Sequence, residues 1–130
     1  MAVKANGRAI RLMKYWLPVF LYMGVIFYFS SLQGEDIPSL FPLQDIFFHG
    51  IIYAVLGWLL RRALKNTVTH SKPLTLVLLT VLFGALYGLS DEFHQSFVPG
   101  RDCSITDWII DTAGTFIGSI FFFDDTHTAI

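Results

Sequence analysis

Most of the side chains that could perform chemistry lie in one polar stretch, residues 90–104, and in the apolar run that follows it. They are four acids, a histidine, a glutamine and an arginine: Asp91, Glu92, His94, Gln95, Arg101, Asp107 and Asp111. Two carboxyl groups held close together tend to differ in protonation, and such a pair supplies the acid and the base that hydrolysis or group transfer needs. A carboxylate within a membrane segment costs at least ~2.5 kcal/mol, so it indicates a function or a specific partner.

Two further candidates precede this stretch, because His49 and Tyr53 are four residues apart and share one face of a predicted helix. Histidine is the usual general base near neutral pH. Our candidates for catalysis are Asp91, Glu92, Asp107 and His49. The predicted ligand-binding residues are Tyr53, His94, Gln95, Arg101 and Asp111, with Arg101 offering a planar fork to an anionic group.

The same residues also allow interpretations without catalysis. The acids could form a polar network that holds helices together, with Arg101 neutralising Asp102 or Asp107, and His49 could be satisfied by Asp45 or by an acid of the third helix. No nucleophile elbow, Walker loop, dinucleotide fingerprint or H-E-x-x-H pattern is present. The single Cys103 excludes an intramolecular disulfide and a multi-cysteine metal site. We therefore predict no cofactor, and a divalent ion held by two histidines (His49 and His94) and two acids remains an alternative.

The elements that must position these residues are membrane helices. Hydrophobic residues make up 54% of the 130-residue chain and charged residues 15%, whereas soluble domains carry about 25% charged residues. Four apolar runs, 15–32, 43–60, 74–90 and 105–123, approach the ~20 residues that cross a bilayer as a helix. We predict an all-α protein with four transmembrane helices in an antiparallel bundle. Its parts are a basic arm (1–13), the transmembrane domain (14–123) and a polar tail (124–130).

The positive charges are distributed asymmetrically and predict the orientation. Eight of the nine Lys and Arg residues precede the first run or link the second to the third, and Arg101 is the ninth. Because Lys and Arg accumulate in cytoplasmic loops, both termini should be cytoplasmic and the polar stretch should face outward. The basic clusters need only this topological role, so no nucleic-acid partner is predicted. We expect the first run to be retained, since it is longer than a signal-peptide core.

Glycines and polar residues share faces on the third and fourth predicted helices. Gly84 and Gly88 align with Asp91 and Gln95, and Gly114 and Gly118 align with Asp107 and Asp111. Small residues allow helices to approach closely in lipid. We therefore predict that these two glycine faces pack against each other and bring the polar residues together.

The motifs resemble the VanZ-like family of small bacterial membrane proteins. The matching residues are Phe29-Ser30-Ser31-x-Gln33, Asp45-x-x-x-His49-x-x-x-Tyr53-x-x-Leu56-Gly57 and Asp91-Glu92-x-His94-Gln95-x-Phe97-x-Pro99-Gly100-Arg101, followed by Asp107. The resemblance adds Ser30 and Gln33 to the ligand-binding candidates. The chain departs from the family pattern at Ile46, where Lys is frequent, and at Asp111, where Asn is common.

The resemblance implies a multi-pass protein of the bacterial cytoplasmic (inner) membrane, associated through its namesake with teicoplanin resistance. Its expected partners are membrane lipids and a lipid-linked envelope precursor or a glycopeptide, bound in an acid-rich pocket at the outer leaflet. Three functions stay open at this point: a membrane hydrolase or transferase, a non-catalytic binding or shielding module, and a small transporter or assembly subunit. A homo-oligomer also stays open.

Overall fold

The protein is all-helical in the computed structural model, which describes residues 1–121. Four α-helices follow one another: α1 (Ala2–Ser30), α2 (Gln44–Thr67), α3 (Pro73–Gln95) and α4 (Ile105–Phe121). A single 3₁₀ turn, Gly34–Asp36, lies between α1 and α2. The predicted polar tail, 124–130, lies outside the described residues.

Local sequence signals explain where the helices begin. Pro73 occupies the first turn of α3. Backbone N–H groups in a first turn have no acceptor within the helix, so proline, which lacks the N–H, is tolerated there. The backbone N–H of Asp107 donates to Ser104 Oγ over 3.3 Å, so Ser104 caps α4. Before α2, Gln44 accepts from the N–H of Leu40 and donates to the carbonyl of Pro38. The loop between α1 and α2 is therefore hydrogen-bonded to the first residue of α2.

Three of the four helices in residues 1–121 are long and apolar enough to cross a membrane: α1 from Val3, α2 and α3. The described part of α4 has 17 residues and is shorter than these. Large apolar side chains are exposed along all four helices, as at Phe20, Leu82 and Ile109. Such a continuous apolar exterior is expected of a surface that faces lipid rather than water.

The basic arm predicted over residues 1–13 is helical and continuous with α1, which begins at Ala2. Its Ala, Lys and Arg residues favour helix, and the residues with described side chains are exposed. The indole N–H of Trp16 donates to Thr67 Oγ1 near the end of α2 over 3.3 Å. The arm therefore extends past the bundle at the end where α2 turns into α3.

Helix α4 packs between α2 and α3, and this arrangement corrects the predicted glycine interface. Gly84 of α3 faces the side chain of Thr115, as predicted for an α3–α4 contact. The glycines of α4 face α2 instead: a Cβ on Gly114 would lie 2.6 Å from the carbonyl oxygen of Gly50, and one on Gly118 would overlap the carbonyl of Ala54. The glycines of α3 and α4 therefore do not face each other, and those of α4 face the small residues Gly50 and Ala54 of α2.

We expect Gly118→Ala to destabilise the protein by about 1–3 kcal/mol, because the added methyl group overlaps the Ala54 carbonyl. Gly24→Ala is the matched control, since a Cβ there meets no atom within 4 Å. Denaturant titration of both variants in mild detergent measures the difference. Equal unfolding midpoints would contradict the close α2–α4 contact.

Candidate functional site

The loop leaving α1 and the turn before α4 meet at one end of the bundle, here called the polar end (residues 31–43 and 96–104). The N–H of Gly34 donates to the carbonyl of Pro99 over 3.1 Å. A Cβ on Gly34 would overlap the carbonyl of Gly100, and Gly100 itself has φ +73°. Glycine is favoured at both positions for these reasons. The close contact fixes the turn that carries Arg101.

A small cavity of about 50 Å³ lies at the polar end, between α1, α2 and α3. Its polar lining residues are Ser30, His49, Tyr53, Asp91, Gln95 and Arg101. Ile26, Phe29 and Ile52 form its apolar wall. A cavity needs about 10–15 Å³ of such space to hold a water molecule, so this one has room for at least one water or a hydroxyl group of a ligand and is too small to enclose a whole headgroup.

One hydrogen bond and one unpaired hydroxyl group define the inner wall of this cavity. The phenol of Tyr53 donates to Asp91 Oδ2 over 3.2 Å, and both residues are buried. Ser30 is also buried, and its Oγ has no hydrogen-bond partner in the described residues. The half-buried Arg101 completes the lining. The cavity therefore combines a carboxylate, a free hydroxyl oxygen and a guanidinium.

A second group of side chains joins α2, α3 and α4 and is here called the acid–histidine cluster (His49, Glu92 and Asp111). His49 Nδ1 lies 2.8 Å from Asp111 Oδ1. Glu92 Oε2 accepts the backbone N–H of Ser104 over 2.9 Å. Asp111 is fully buried and Glu92 is 2% exposed. Candidate ligand atoms of the three side chains all lie within 4.8 Å of one another.

The missing side chain of Gly88 allows this cluster to form. A Cβ on Gly88 would lie 3.2 Å from Asp111 Cβ and 3.3 Å from Asp111 Oδ2. Trp108, one turn earlier on α4, donates its indole N–H to the carbonyl of Ala85 over 2.8 Å. These contacts fix the register of α4 on α3 and direct the carboxylate of Asp111 toward His49.

Most of the predicted site residues come together in these two groups. Ser30, Tyr53, Asp91, Gln95 and Arg101 line the cavity, Glu92 and Asp111 belong to the acid–histidine cluster, and His49 belongs to both. The i, i+4 spacing of His49 and Tyr53 places both on the face of α2 that borders the cavity. The face shared by Asp91 and Gln95 on α3 does the same.

Three predicted residues lie elsewhere. The Nε2 atom of His94 lies 2.9 Å from Ser31 Oγ, and its ring stacks on Phe27 with centroids 4.5 Å apart. His94 is therefore held against α1 and is absent from the group of side chains whose candidate ligand atoms lie within 4.8 Å of one another, so the structure does not bring the two predicted histidines together. Gln33 is exposed before the 3₁₀ turn. Asp107 is half-buried in the first turn of α4 and lines neither group.

Sequence reasoning missed the apolar wall of the cavity and one backbone group. Ile26, Phe29 and Ile52 carry no signal that distinguishes them from lipid-facing residues in an apolar run. The N–H of Ser104, which binds Glu92, is a backbone group and has no residue-type signature. Both depend on how helices pack rather than on local pattern.

The chain was compared with models of known protein families, with curated proteins and with solved structures. A model of the VanZ/LLP1 family matches residues 15–124, which is most of the chain. Comparisons with curated proteins and with solved structures gave no match. The family assignment and the three long apolar helices together identify a membrane protein. The chain belongs to the VanZ/LLP1 family.

Proposed function

We propose that this protein binds the anionic headgroup of a cell-envelope lipid or lipid-linked precursor at the outer leaflet of the bacterial inner membrane. In this proposal all four helices cross the membrane and both termini are cytoplasmic. The distribution of Lys and Arg supports the orientation. The packing of α4 between α2 and α3 supports its insertion beside them. The polar end then faces outward.

The observation that carries the proposal is the position of Arg101. Its side chain borders the cavity, and within residues 1–121 it makes no hydrogen bond or ion pair with another side chain. It is also the only Lys or Arg after Lys72 in the chain. A guanidinium binds phosphate through two parallel hydrogen bonds. A phosphate group at the cavity mouth would therefore meet a cation that has no competing partner there.

The small size of the cavity determines how such a ligand would bind. A headgroup does not fit within about 50 Å³, so it would lie at the mouth, beside Arg101, with its acyl or prenyl chains among the exposed apolar side chains. The cavity behind it would hold a water molecule or a hydroxyl group of the ligand. Ser30 Oγ and the Asp91 carboxylate would contact that group.

This arrangement favours hydrolysis or group transfer at the headgroup. His49 lines the cavity while Asp111 holds its Nδ1 atom, and an imidazole oriented by a carboxylate is a suitable general base for a water or hydroxyl. Asp91 and Glu92 are the candidate acids, and the position of Asp107 outside both groups makes it a weaker candidate. A non-catalytic binding module is the second candidate, because the narrow cavity would keep the scissile bond at its mouth.

Native mass spectrometry of the purified protein with defined lipids tests the binding proposal. We expect undecaprenyl phosphate and phosphatidylglycerol to stay bound and diacylglycerol, which lacks phosphate, to dissociate. Arg101→Gln should weaken binding about tenfold or more, since it removes charged hydrogen bonds. Arg101→Lys should also weaken it, because Lys keeps the charge and loses the planar fork.

Arg62→Gln is the matched control. Arg62 lies on Tyr15 at the opposite end of the bundle, 5.1 Å from the ring centroid. Equal retention of all three lipids, or equal loss in both arginine variants, would contradict a phosphate site at Arg101. Teicoplanin added in the same experiment tests the glycopeptide that the family resemblance suggests.

A further inference from the structure

We propose that His49, Glu92 and Asp111 bind a divalent first-row metal ion, Zn²⁺ or Mn²⁺. This inference goes beyond the proposed function, since a metal ion could bind there with or without a lipid at Arg101. The three side chains come from three different helices, and their candidate ligand atoms lie within 4.8 Å of one another. Two donors bound to one Zn²⁺ ion at about 2.0–2.2 Å lie at most about 4.4 Å apart, so small side-chain movements would bring these atoms around one ion.

Each carboxylate of the cluster has one oxygen that the protein holds and one that it does not. Glu92 Oε2 accepts the Ser104 N–H, and Asp111 Oδ1 contacts His49. Glu92 Oε1 and Asp111 Oδ2 are buried without a hydrogen-bond partner in the described residues. Leaving a buried charged oxygen unpaired is costly. Two such oxygens in one cluster indicate that a ligand with positive charge completes it.

The charges near the cluster support a cation. Asp91, Glu92 and Asp111 are all at most 5% exposed. Within residues 1–121, no Lys or Arg lies within ion-pair distance of these carboxylates, and the ion pair at the cluster involves His49. A protonated imidazole offsets one negative charge, whereas a divalent ion would offset both carboxylates of the cluster. Buried charges are generally paired or coordinate metals.

The types of donor determine the class of ion. One imidazole nitrogen with two carboxylate oxygens suits Zn²⁺ and Mn²⁺. Mg²⁺ and Ca²⁺ prefer sites made of oxygen atoms, so an imidazole makes them weaker candidates. Carboxylate and backbone groups that orient the ligands are typical of metal sites, and the Ser104 N–H has this position on Glu92. With an ion bound, His49 would be a ligand and would no longer be free to act as the general base, and the ion would border the cavity where the proposed reaction occurs.

Metal analysis of the purified, detergent-solubilised protein tests the proposal. The protein is stripped with chelator, dialysed against Zn²⁺ or Mn²⁺, and analysed by plasma mass spectrometry after removal of free ion. We expect about one ion per chain in the folded wild type. Glu92→Gln and Asp111→Asn keep the side-chain shapes and should lower the affinity at least about tenfold.

Asp45→Asn and His94→Gln are the controls. Asp45 is an exposed acid at the start of α2, and His94 is held against α1; both variants should keep the ion. Using the Cys103→Ser background removes the exposed thiol as a competing ligand. Folded wild type that takes up neither ion would overturn the proposal, whatever the variants do. Equal uptake by Glu92→Gln, Asp111→Asn and the controls would also overturn it.

If Glu92→Gln or Asp111→Asn fails to fold, metal binding by the protein with its cluster intact still tests the proposal. Co²⁺ added to the stripped Cys103→Ser protein should give an absorption spectrum typical of nitrogen and oxygen ligands, and one equivalent of Zn²⁺ should abolish it. No spectral change on adding Co²⁺ would count against the site. This readout needs no lipid. Metal binding can therefore fail while phosphate binding at Arg101 succeeds, and phosphate binding can fail while metal binding succeeds.

Discussion

Asp111→Ala is expected to lower the free energy of unfolding by about 3–5 kcal/mol, measured with chelator present so that no metal ion contributes. Asp111 is fully buried, and its Oδ1 lies 2.8 Å from His49 Nδ1. Removing the carboxylate leaves a largely buried imidazole without its charged partner. It also leaves a void beside Gly88, where Asp111 packs against α3. Denaturant titration in mild detergent measures the change.

Asp107→Ala provides the matched control, because Asp107 is an acid of the same helix that lies outside the cluster and is half-buried. We expect its effect to be below about 1 kcal/mol. A double-mutant cycle with His49→Ala isolates the pair itself. His49→Ala should lower the free energy of unfolding by less in the Asp111→Ala variant than in the wild type, and the difference should be about 1 kcal/mol or more. Additive effects would mean that His49 and Asp111 do not stabilise each other.

The helices could be predicted from the sequence because their signal is local. A long apolar run in lipid satisfies its backbone hydrogen bonds by forming a helix. Residues 1–121 form α-helices and one 3₁₀ turn, and three of the helices are long enough to span a membrane. The start of α1 was harder to predict. The basic residues from Lys4 to Lys14 mark a region outside the hydrocarbon, and the same residues favour helix. Their charge predicted an arm separate from the first helix. Their helix propensity favours a continuous helix, and in the structure α1 begins at Ala2.

The parts of the site that depend on residue spacing within one helix could be predicted from the sequence. Helical spacing placed His49 with Tyr53 and Asp91 with Gln95, and both pairs line the cavity. The spacing could not say which neighbour each face meets. Gly114 and Gly118 therefore seemed to face α3, but they contact α2. Asp107 shares an angular position with Asp111 and lies one turn earlier, where α4 has only just begun.

The two departures from the family pattern differ in their structural consequences. Ile46 is 40% exposed on α2, among the apolar side chains of the outer surface, and it lines neither group. A positive charge missing there leaves the cavity lining unchanged. Asp111, by contrast, adds a carboxylate to the core, where His49 contacts it. An Asn at this position would remove that charge, so Asp111→Asn tests this departure directly in the metal analysis.

Measuring which side of the membrane the polar end faces is the most direct test of the proposed function. Cys103 makes this measurement possible in intact cells. Cys103 is the single cysteine of the chain, is exposed, and lies two residues from Arg101. A membrane-impermeant maleimide should label it without permeabilisation if the polar end faces outward. The control is Thr69→Cys in a Cys103→Ser background. Thr69 is exposed in the turn between α2 and α3, at the opposite end.

If the polar end faces outward, Cys103 should be labelled almost completely in intact cells, and Thr69→Cys should be labelled only after the membrane is permeabilised. The reverse pattern would place Arg101 and the cavity on the cytoplasmic side. An envelope ligand in the outer leaflet could not then reach them, and the proposed function would be contradicted.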